Sequence, residues 1–216
     1  MPPSLFIPVA EEIGLISVIG DWVLRTACLQ GMEWRSRGVL PIRIAVNVSP
    51  RSFWDSEFPA NVARVLAETG WPADLLCLEI TESTIMNRDD PNKILRQLSA
   101  MGVKLAIDDF GVGYSSLSYL QHFSVDYLKI DRCFTSGIPD DASNLAITRA
   151  IIALAKNLGL QVIAEGVENQ AQLQALEDEG CDEAQGYFFS RPVTTAAIEH
   201  LLRKGVLVER SNLRVE

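Results

Sequence analysis

The sequence predicts an α/β protein built on a parallel sheet of the TIM-barrel type. Six short apolar runs recur along the 216 residues, and most lack the polar alternation of a strand with one wetted face. Amphipathic helical patterns separate successive runs. Each run also ends in a polar or ionisable residue. Alternation of strand and helix favours right-handed parallel crossovers with the helices packed outside the sheet.

The predicted strands are these apolar runs, in chain order. They cover residues 42–46, 75–78, 103–107, 125–128, 160–164 and 187–189 together with the residues that lead into the last run. Runs of this length and composition are typical of strands buried on both faces. An eight-strand barrel would therefore have six of its strands recognisable in this sequence.

The predicted helices follow five of the strands. They cover residues 61–68, 92–101, 144–158, 169–179 and 194–204. Each begins at Asn or Thr, whose side chains can cap free backbone N–H groups. Each is followed by a glycine suited to end a helix, namely Gly70, Gly102, Gly159, Gly180 and Gly205. The repeating unit is strand, helix, glycine, strand.

Composition is consistent with one globular domain, which we place at residues 1–208, followed by a polar tail at 209–216. A net charge of −9 argues against a general nucleic-acid surface. The apolar stretch 15–29 is interrupted by Asp21 and Arg25, and no signal peptide precedes it. Four scattered cysteines without metal-ligand spacing indicate reduced thiols. We therefore expect a cytoplasmic domain without direct membrane insertion.

The polar residues at the strand ends predict one shared pocket. The carboxyl ends of barrel strands converge on one face, where such barrels build active sites. Residues far apart in the sequence would then lie close together. The strand-end residues are Asn47, Glu79, Asp108, Asp109, Lys129, Asp131, Glu165 and Gln185.

The tandem carboxylates Asp108 and Asp109 indicate a metal site. Adjacent carboxylates repel one another, and a hard divalent cation such as Mg²⁺ or Mn²⁺ removes that cost. Asn47, Glu79 and Glu165 add oxygen ligands of the same kind. Together these residues could hold two ions, the arrangement that clamps the attacking and leaving oxygens in phosphodiester hydrolysis.

Lys129 has two interpretations. Near two cations, its ammonium form would be disfavoured, or it would orient the attacking water. Alternatively, it forms a salt bridge with Asp131 or Asp126. His122 and His200 lie away from every predicted strand end, so a histidine-based mechanism is not expected.

Two further glutamates follow the strand-end acids at a spacing of three residues. Glu82 comes after Glu79, and Glu168 comes after Glu165. This spacing places each on the loop beyond its strand, so we expect them to hold loops beside the metal ligands. Gly111 permits a sharply bent loop after Asp109.

Several motifs in register resemble EAL-domain cyclic-di-GMP phosphodiesterases. The resemblance runs from Phe6 to about Leu202. Its segments are Phe6–Ile16, Asn47–Ser49, Glu79–Ser83, Asp108–Leu117, Leu128–Arg132, Ala164–Glu168 and Gln185–Tyr187. The resemblance implies a TIM-like barrel that hydrolyses cyclic di-GMP to linear pGpG with two Mg²⁺ or Mn²⁺ ions, and Ca²⁺ is expected to inhibit.

The resemblance also implies roles for individual residues. Metal ligands are implied at Asn47, Glu79, Asp108, Asp109 and Glu165, with Lys129, Glu165 and Asp109 acting in catalysis. Lys129 matches the lysine that helps to place the attacking water. Glu82 matches a glutamate that steadies the glycine-containing loop, and Asp131 and Glu168 match polar residues beside the site. Substrate contacts are expected at Gln185, Phe6 and Pro8. A homodimer and an upstream sensor or GGDEF domain are expected partners.

The sequence departs from the family pattern at its start and in two loops. The family's first two strands are absent, including the Glu-Ala-Leu signature whose glutamate binds metal and whose neighbouring arginine contacts phosphate. Val112 stands where the family usually has Thr, and Ser52 where it often has Gln. We therefore expect weak turnover, or none, from this chain alone.

Three functional hypotheses follow. The first is a cyclic-di-GMP phosphodiesterase domain. The second is an EAL module with impaired catalysis that binds the dinucleotide or a protein partner. The third is an enolase-like acid/base enzyme, because lysine and carboxylates at strand ends also suit enolate stabilisation over Mg²⁺. The tandem acids and the ordered motifs disfavour the third.

Overall fold

A computed structural model describes residues 3–39, 42–86, 90–113, 120–203 and 214–215. The chain divides into two compact units. The first comprises Met1–Arg37 and Pro41–Leu105, and the second comprises Gly38–Leu40 and Ala106–Glu216.

The first unit alternates helices with two parallel strands. Its elements are α1 (Pro3–Glu12), α2 (Ile16–Ser36), β1 (Ile44–Asn47), α3 (Pro50–Phe53), α4 (Phe58–Thr69), a short 3₁₀ turn (Ala73–Leu75), β2 (Leu76–Thr81), α5 (Glu82–Met86), α6 (Asn92–Ala100) and the start of β3 (Lys104–Phe110). β1 pairs with β2 in parallel, from Ile44 beside Leu76 to Asn47 beside Glu79. The two strands therefore end at the same level.

The long helix α2 packs one apolar face into the core of the first unit. Leu24 and Cys28 on that face are buried, and Gly31 lies against Ile44 of β1 and Trp71. No helix in the described ranges combines the length and the hydropathy that a membrane span requires.

The second unit carries the remaining strands in sequence order. Its elements are the rest of β3, β4 (Tyr127–Ile130), α7 (Arg132–Thr135), α8 (Ala142–Asn157), β5 (Gln161–Ala164), α9 (Gln170–Asp178), β6 (Glu183–Ala184), α10 (Thr195–Arg203) and β7 (Arg214–Val215). Neighbouring strands from β3 to β7 pair in parallel. Every residue of β4 is buried, as in a sheet covered on both faces. The predicted parallel α/β fold is confirmed.

The sixth predicted strand is misplaced. The strand lies at Glu183–Ala184, and residues 187–189 form a turn. The turn is held by the N–H of Phe188, which donates to Val167 O, and by the N–H of Phe189, which donates to Gly186 O. Tyr187 is exposed and Phe188 and Phe189 are half-buried, so this hydrophobic run is not part of the buried sheet, and hydrophobicity alone does not separate a turn from a strand.

The helix starts were predicted less well than the helix ends. Asn169 caps α9 and Thr194 accepts from Ala197 N, whereas α8 is capped by Asp141 and not by Asn144. Helices α4 and α6 begin after Glu57 and Pro91, so Asn61 and Asn92 are not their caps. The predicted glycines at 70, 102, 159 and 180 all adopt positive φ, as a left-handed helix end requires.

Part of the C-terminal prediction lies outside the described residues. Gly205 and residues 206–213 belong to this part. Arg214–Val215 forms a short strand parallel to β6. The proposed boundary between domain and tail at residue 208 stays a prediction.

Candidate metal and active site

A bulge in β3 brings two consecutive carboxylates to one side. Successive residues of a regular strand point to opposite faces. Here the register with β4 shifts between Ile107 and Phe110, and Asp109 adopts a left-handed backbone with φ of 54°. The side chain of Asp108 accepts a hydrogen bond of 3.0 Å from Asp109 N. This local break in the ladder lets both acids face the same space.

Three carboxylates converge at the ends of β3 and β5. One oxygen each from Asp108, Asp109 and Glu165 lies within 4.8 Å of the others. Their strand register explains the meeting, because Ala106 pairs with Tyr127 and Tyr127 with Gln161. Asp108 lies two residues after Ala106, and Glu165 lies four residues after Gln161. Residues at such even spacings share one face of the sheet with their starting positions. The prediction that Asp108, Asp109 and Glu165 come together is confirmed by this geometry.

Lys129 lies in the middle of this cluster and is only 2% exposed. Its Nζ is 3.2 Å from Asp108 Oδ1 and 2.6 Å from Glu165 Oε1. The expected alternative was a salt bridge to Asp131 or Asp126; the ion pairs of Lys129 include those with Asp108 and Glu165. Lys129 sits two residues after Tyr127 in β4, on the face shared with Asp108, and this register selects its partners.

The charge density of the cluster raises the pKa of Asp109 above its ordinary value. Partial burial is the largest cause, followed by repulsion from Asp108 and from Asp131, while Lys129 acts in the opposite direction. A cation placed among these acids would relieve this repulsion. The donor set consists of hard carboxylate oxygens, which fits Mg²⁺ or Mn²⁺.

Asp131 and Cys133 border the cluster on α7. Asp131 is the N-cap of this helix, and its Oδ1 accepts a 2.8 Å hydrogen bond from Cys133 N. Partial desolvation and the neighbouring Asp131 raise the pKa of the Cys133 thiol to about 11. Cys133 is exposed, whereas Cys28, Cys77 and Cys181 are buried, and none of these four described cysteines forms a disulfide.

The segment Glu165–Glu168 is held from the side of β6. Gln185 N donates to Ala164 O at 2.8 Å, and Val167 N donates to Gln185 O at 3.0 Å. The backbone of Gly186 lies so close that a Cβ there would be 2.1 Å from Val167 O. Gln185 and Glu168 have exposed side chains beside this segment. Their predicted roles in substrate contact and loop support stay predictions.

In the first unit, Asn47 and Glu79 form a matched pair at the ends of β1 and β2. The two residues are register partners, with Asn47 exposed and Glu79 buried. Glu82 is also buried, but it is the first residue of α5 and does not lie in a loop as predicted. The short connection from β2 to α5 leaves no loop at that point. Phe6 and Pro8 lie on α1, and their expected substrate contacts stay predictions.

Sequence reasoning missed several buried polar residues of the second unit, among them Thr135, Gln172 and Glu183. Thr135 is fully buried, and its hydroxyl donates to Glu165 O. Gln172 hydrogen-bonds backbone groups on both sides of the cluster. Glu183 is buried on β6. None ends an apolar run, so the strand-end criterion could not find them. A polar side chain in the first turn of a helix after a strand-end acid was the available signal for Gln172.

The comparisons with known proteins identify the family to which this fold belongs. The EAL domain model matches residues 1–192, so the chain belongs to the EAL-domain family. A Pseudomonas aeruginosa protein named cyclic di-GMP phosphodiesterase NbdA is 43% identical over 202 residues, which are 93% of this chain and 26% of that protein. Signaling protein YkoW of Bacillus subtilis is 44% identical over 93% of this chain and 25% of its own length. The chain thus spans about a quarter of these relatives.

Solved structures show the same architecture. The PaMucR phosphodiesterase in complex with c-di-GMP has a TM-score of 0.88 and 43% identity, covering 92% of this chain and 81% of that one. Klebsiella pneumoniae BlrP1 in a manganese and c-di-GMP complex has a TM-score of 0.78 and 28% identity, covering 90% of this chain and 49% of that one.

Proposed function

We propose that this chain is a cyclic-di-GMP phosphodiesterase domain that hydrolyses the cyclic dinucleotide to linear pGpG. The observation that carries the proposal is the cluster of Asp108, Asp109 and Glu165 around the buried Lys129. Carboxylates and a lysine at the ends of parallel strands suit metal-assisted phosphodiester hydrolysis. The likeness to NbdA and to the PaMucR complex supports the choice of substrate.

The proposed metal ligands are Asn47, Glu79, Asp108, Asp109 and Glu165, and the proposed ions are Mg²⁺ or Mn²⁺. The oxygen-only donor set and the manganese complex of BlrP1 support this proposal. Bound ions of this kind neutralise charge on the phosphate and make water a better nucleophile. Ca²⁺ also prefers oxygen ligands, but it tolerates looser and larger coordination. We therefore expect it to permit binding while slowing turnover.

Residues of the chain would position the reacting groups and would supply charged side chains beside them. Lys129 holds the carboxylates of Asp108 and Glu165 in place and presents an ammonium to the attacking water. In the reaction, the water oxygen forms a bond to phosphorus while one bond from phosphorus to a 3′ oxygen breaks. The attacking water loses one proton and the departing 3′ oxygen takes up one, so the step is balanced in protons. Asp131 and Glu168 would hold the adjoining segments, and Gln185, Phe6 and Pro8 would contact the dinucleotide.

A second candidate is an EAL module that binds cyclic di-GMP without efficient turnover. Val112, which follows Gly111 in the connection after β3, is 62% exposed. The family usually has Thr at this position, so a hydroxyl that could fix the loop is missing. We also propose a cytoplasmic location, a homodimer, and a sensor or GGDEF domain in the longer protein as partners.

Turnover with matched substitutions tests the first candidate. The chain is assayed with the family's first two strands restored: it is incubated with cyclic di-GMP and Mn²⁺, and pGpG is quantified by liquid chromatography. We expect Glu165→Gln to abolish pGpG formation and Glu179→Gln to leave it unchanged, since Glu179 lies at the end of α9 and pairs with Arg149. Equal turnover in Glu165→Gln and wild type would contradict the proposed site.

Calorimetry in Ca²⁺ separates the two candidates. The binding module is favoured if cyclic di-GMP binds with measurable heat in Ca²⁺ but no pGpG forms in Mn²⁺ or Mg²⁺. Absence of both heat and product would contradict both candidates.

A further inference from the structure

Gln172 is a buried amide that joins two backbone segments. Gln172 lies in the first turn of α9 and is only 3% exposed. Oε1 accepts hydrogen bonds from Glu168 N at 2.7 Å and from Asn169 N at 3.2 Å. Nε2 donates to Ser136 O at 3.1 Å. Both ends of the amide are therefore satisfied, by segments far apart in the sequence.

The two segments carry acids of the carboxylate cluster and its border. One runs from Glu165 to Asn169, between β5 and α9, and the other is α7 with Ser136, which follows Asp131. They touch at two further points. The Thr135 hydroxyl donates to Glu165 O. Gly166 approaches α7 so closely that a Cβ would be 2.6 Å from Arg132 Cβ.

Helix capping explains only half of what Gln172 does. In a capping box, the side chain at this position accepts from the backbone N–H of the cap residue, here Asn169. That role uses Oε1 alone. The donation from Nε2 to Ser136 O spans 36 positions of sequence and adds nothing to the cap. A buried amide that is hydrogen-bonded through both its oxygen and its nitrogen favours one relative placement of the groups that it joins.

We propose that Gln172 is a positioning residue, whose bridge to Ser136 fixes the segment carrying Glu165 and Glu168 and so sets the metal affinity of the cluster. The inference rests on the proposed function. Partners outside the ligands typically change metal affinity by about 10–100-fold when removed. Gln172 acts through the backbone of Glu165 and Glu168 and need not touch metal or substrate.

One substitution separates bridging from capping. Gln172→Glu keeps an oxygen acceptor for Glu168 N and Asn169 N, but its carboxylate has no hydrogen to donate to Ser136 O. The matched control is Asn169→Ala, which removes the other half of the capping box and leaves the bridge in place. The added negative charge of Gln172→Glu would by itself attract a cation. A loss of affinity therefore cannot be a charge effect.

Mn²⁺ affinity is measured from the free-ion signal in electron paramagnetic resonance. We expect Gln172→Glu to weaken Mn²⁺ binding by about 10-fold or more. Asn169→Ala should lower the melting temperature but keep the affinity within about twofold, because its loss is a helix cap. Unchanged affinity in Gln172→Glu would overturn the proposal, as would an equal loss in both variants.

Hydrogen exchange keeps this proposal separate from the proposed function. The N–H groups of Glu165 and Val167 donate to Ile130 O and Gln185 O, so their exchange reports the order of the segment. We expect faster exchange at both in Gln172→Glu and wild-type rates in Asn169→Ala. A wild-type chain that binds no Mn²⁺ would contradict the proposed function. Wild-type exchange in a folded Gln172→Glu variant would contradict the bridge.

Discussion

Asp109 combines a left-handed backbone with surroundings that disfavour the ionised form of its carboxyl group. Asn and Asp tolerate this conformation better than most residues do, so the position is compatible with either. Its pKa is raised in the folded chain, which means that the folded state binds the proton more tightly than the unfolded state. Stability therefore falls as pH rises through the carboxyl range, and the ionised Asp109 opposes folding at neutral pH.

Asp109→Asn should raise the melting temperature of the metal-free chain at pH 7. We expect a rise of about 2 °C or less, because Asp109 is exposed and solvent screens its repulsion. The difference should vanish near pH 3, where the carboxyl is protonated in both states. The variant should also lose part of the stabilisation by Mn²⁺. Calorimetric scans at both pH values measure this, and a lower melting temperature at pH 7 would refute the argument.

Lys129→Met should destabilise the chain strongly. Removing the ammonium leaves Asp108 and Glu165 without their cation, and breaking a buried ion pair typically costs about 3 kcal/mol or more. Arg149→Ala provides the contrast, because the Arg149 guanidinium is exposed and solvent screens its pair with Glu179, so the loss of stability should be much smaller. Urea unfolding in EDTA measures both. Similar losses in the two variants would mean that Lys129 is not a structural cation.

The acids of the cluster could be predicted because each ends an apolar run and all carry the same kind of ligand atom. The partners of Lys129 could not, because they depend on the register of β3, β4 and β5. The bulge at Asp108 and Asp109 could not be predicted from the sequence either. A DD pair in a strand implies opposite faces, and only the observed φ of Asp109 shows otherwise.

At the scale of elements, helix ends follow local chemistry and strand limits do not. The glycines that end the helices adopt the left-handed conformation that only glycine adopts at little cost. Strand β6 was missed because its two residues include the charged Glu183, while the aromatic run after it looked like a strand. Burial of Glu183 is decided by the neighbouring strands, which local sequence does not describe.

Gly186→Ala should disturb the contact between β6 and the segment after β5. Its Cβ would meet backbone atoms of Val167 at 2.1 and 2.4 Å, and backbone cannot move aside as a side chain can. We expect the free energy of unfolding to fall by about 2–3 kcal/mol. Gly159→Ala is the control, since that site has open space and only a positive φ, which costs about 1 kcal/mol. Urea unfolding compares the two, and a smaller loss at Gly186 would contradict this packing.

At the scale of the whole molecule, two kinds of cation effect must be separated. The chain has a net charge of −9, so any divalent ion will stabilise it by screening self-repulsion. Specific binding adds a further gain in the free energy of unfolding. This gain depends on the concentration of the ion relative to its dissociation constant. At 100 times that constant, the gain is about 2.7 kcal/mol. Only this second part should depend on the carboxylate cluster.

Mn²⁺ should therefore raise the melting temperature by about 5–10 °C at 100 times its dissociation constant, as the gain implies for a domain of this size. KCl of equal ionic strength should give a much smaller rise. Asp108→Asn should remove most of the Mn²⁺ effect, whereas Asp140→Asn, at an exposed position, changes the net charge equally and should keep it. Differential scanning fluorimetry measures all four conditions. Equal Mn²⁺ shifts in the two variants would mean that the ion acts through net charge and not through the cluster.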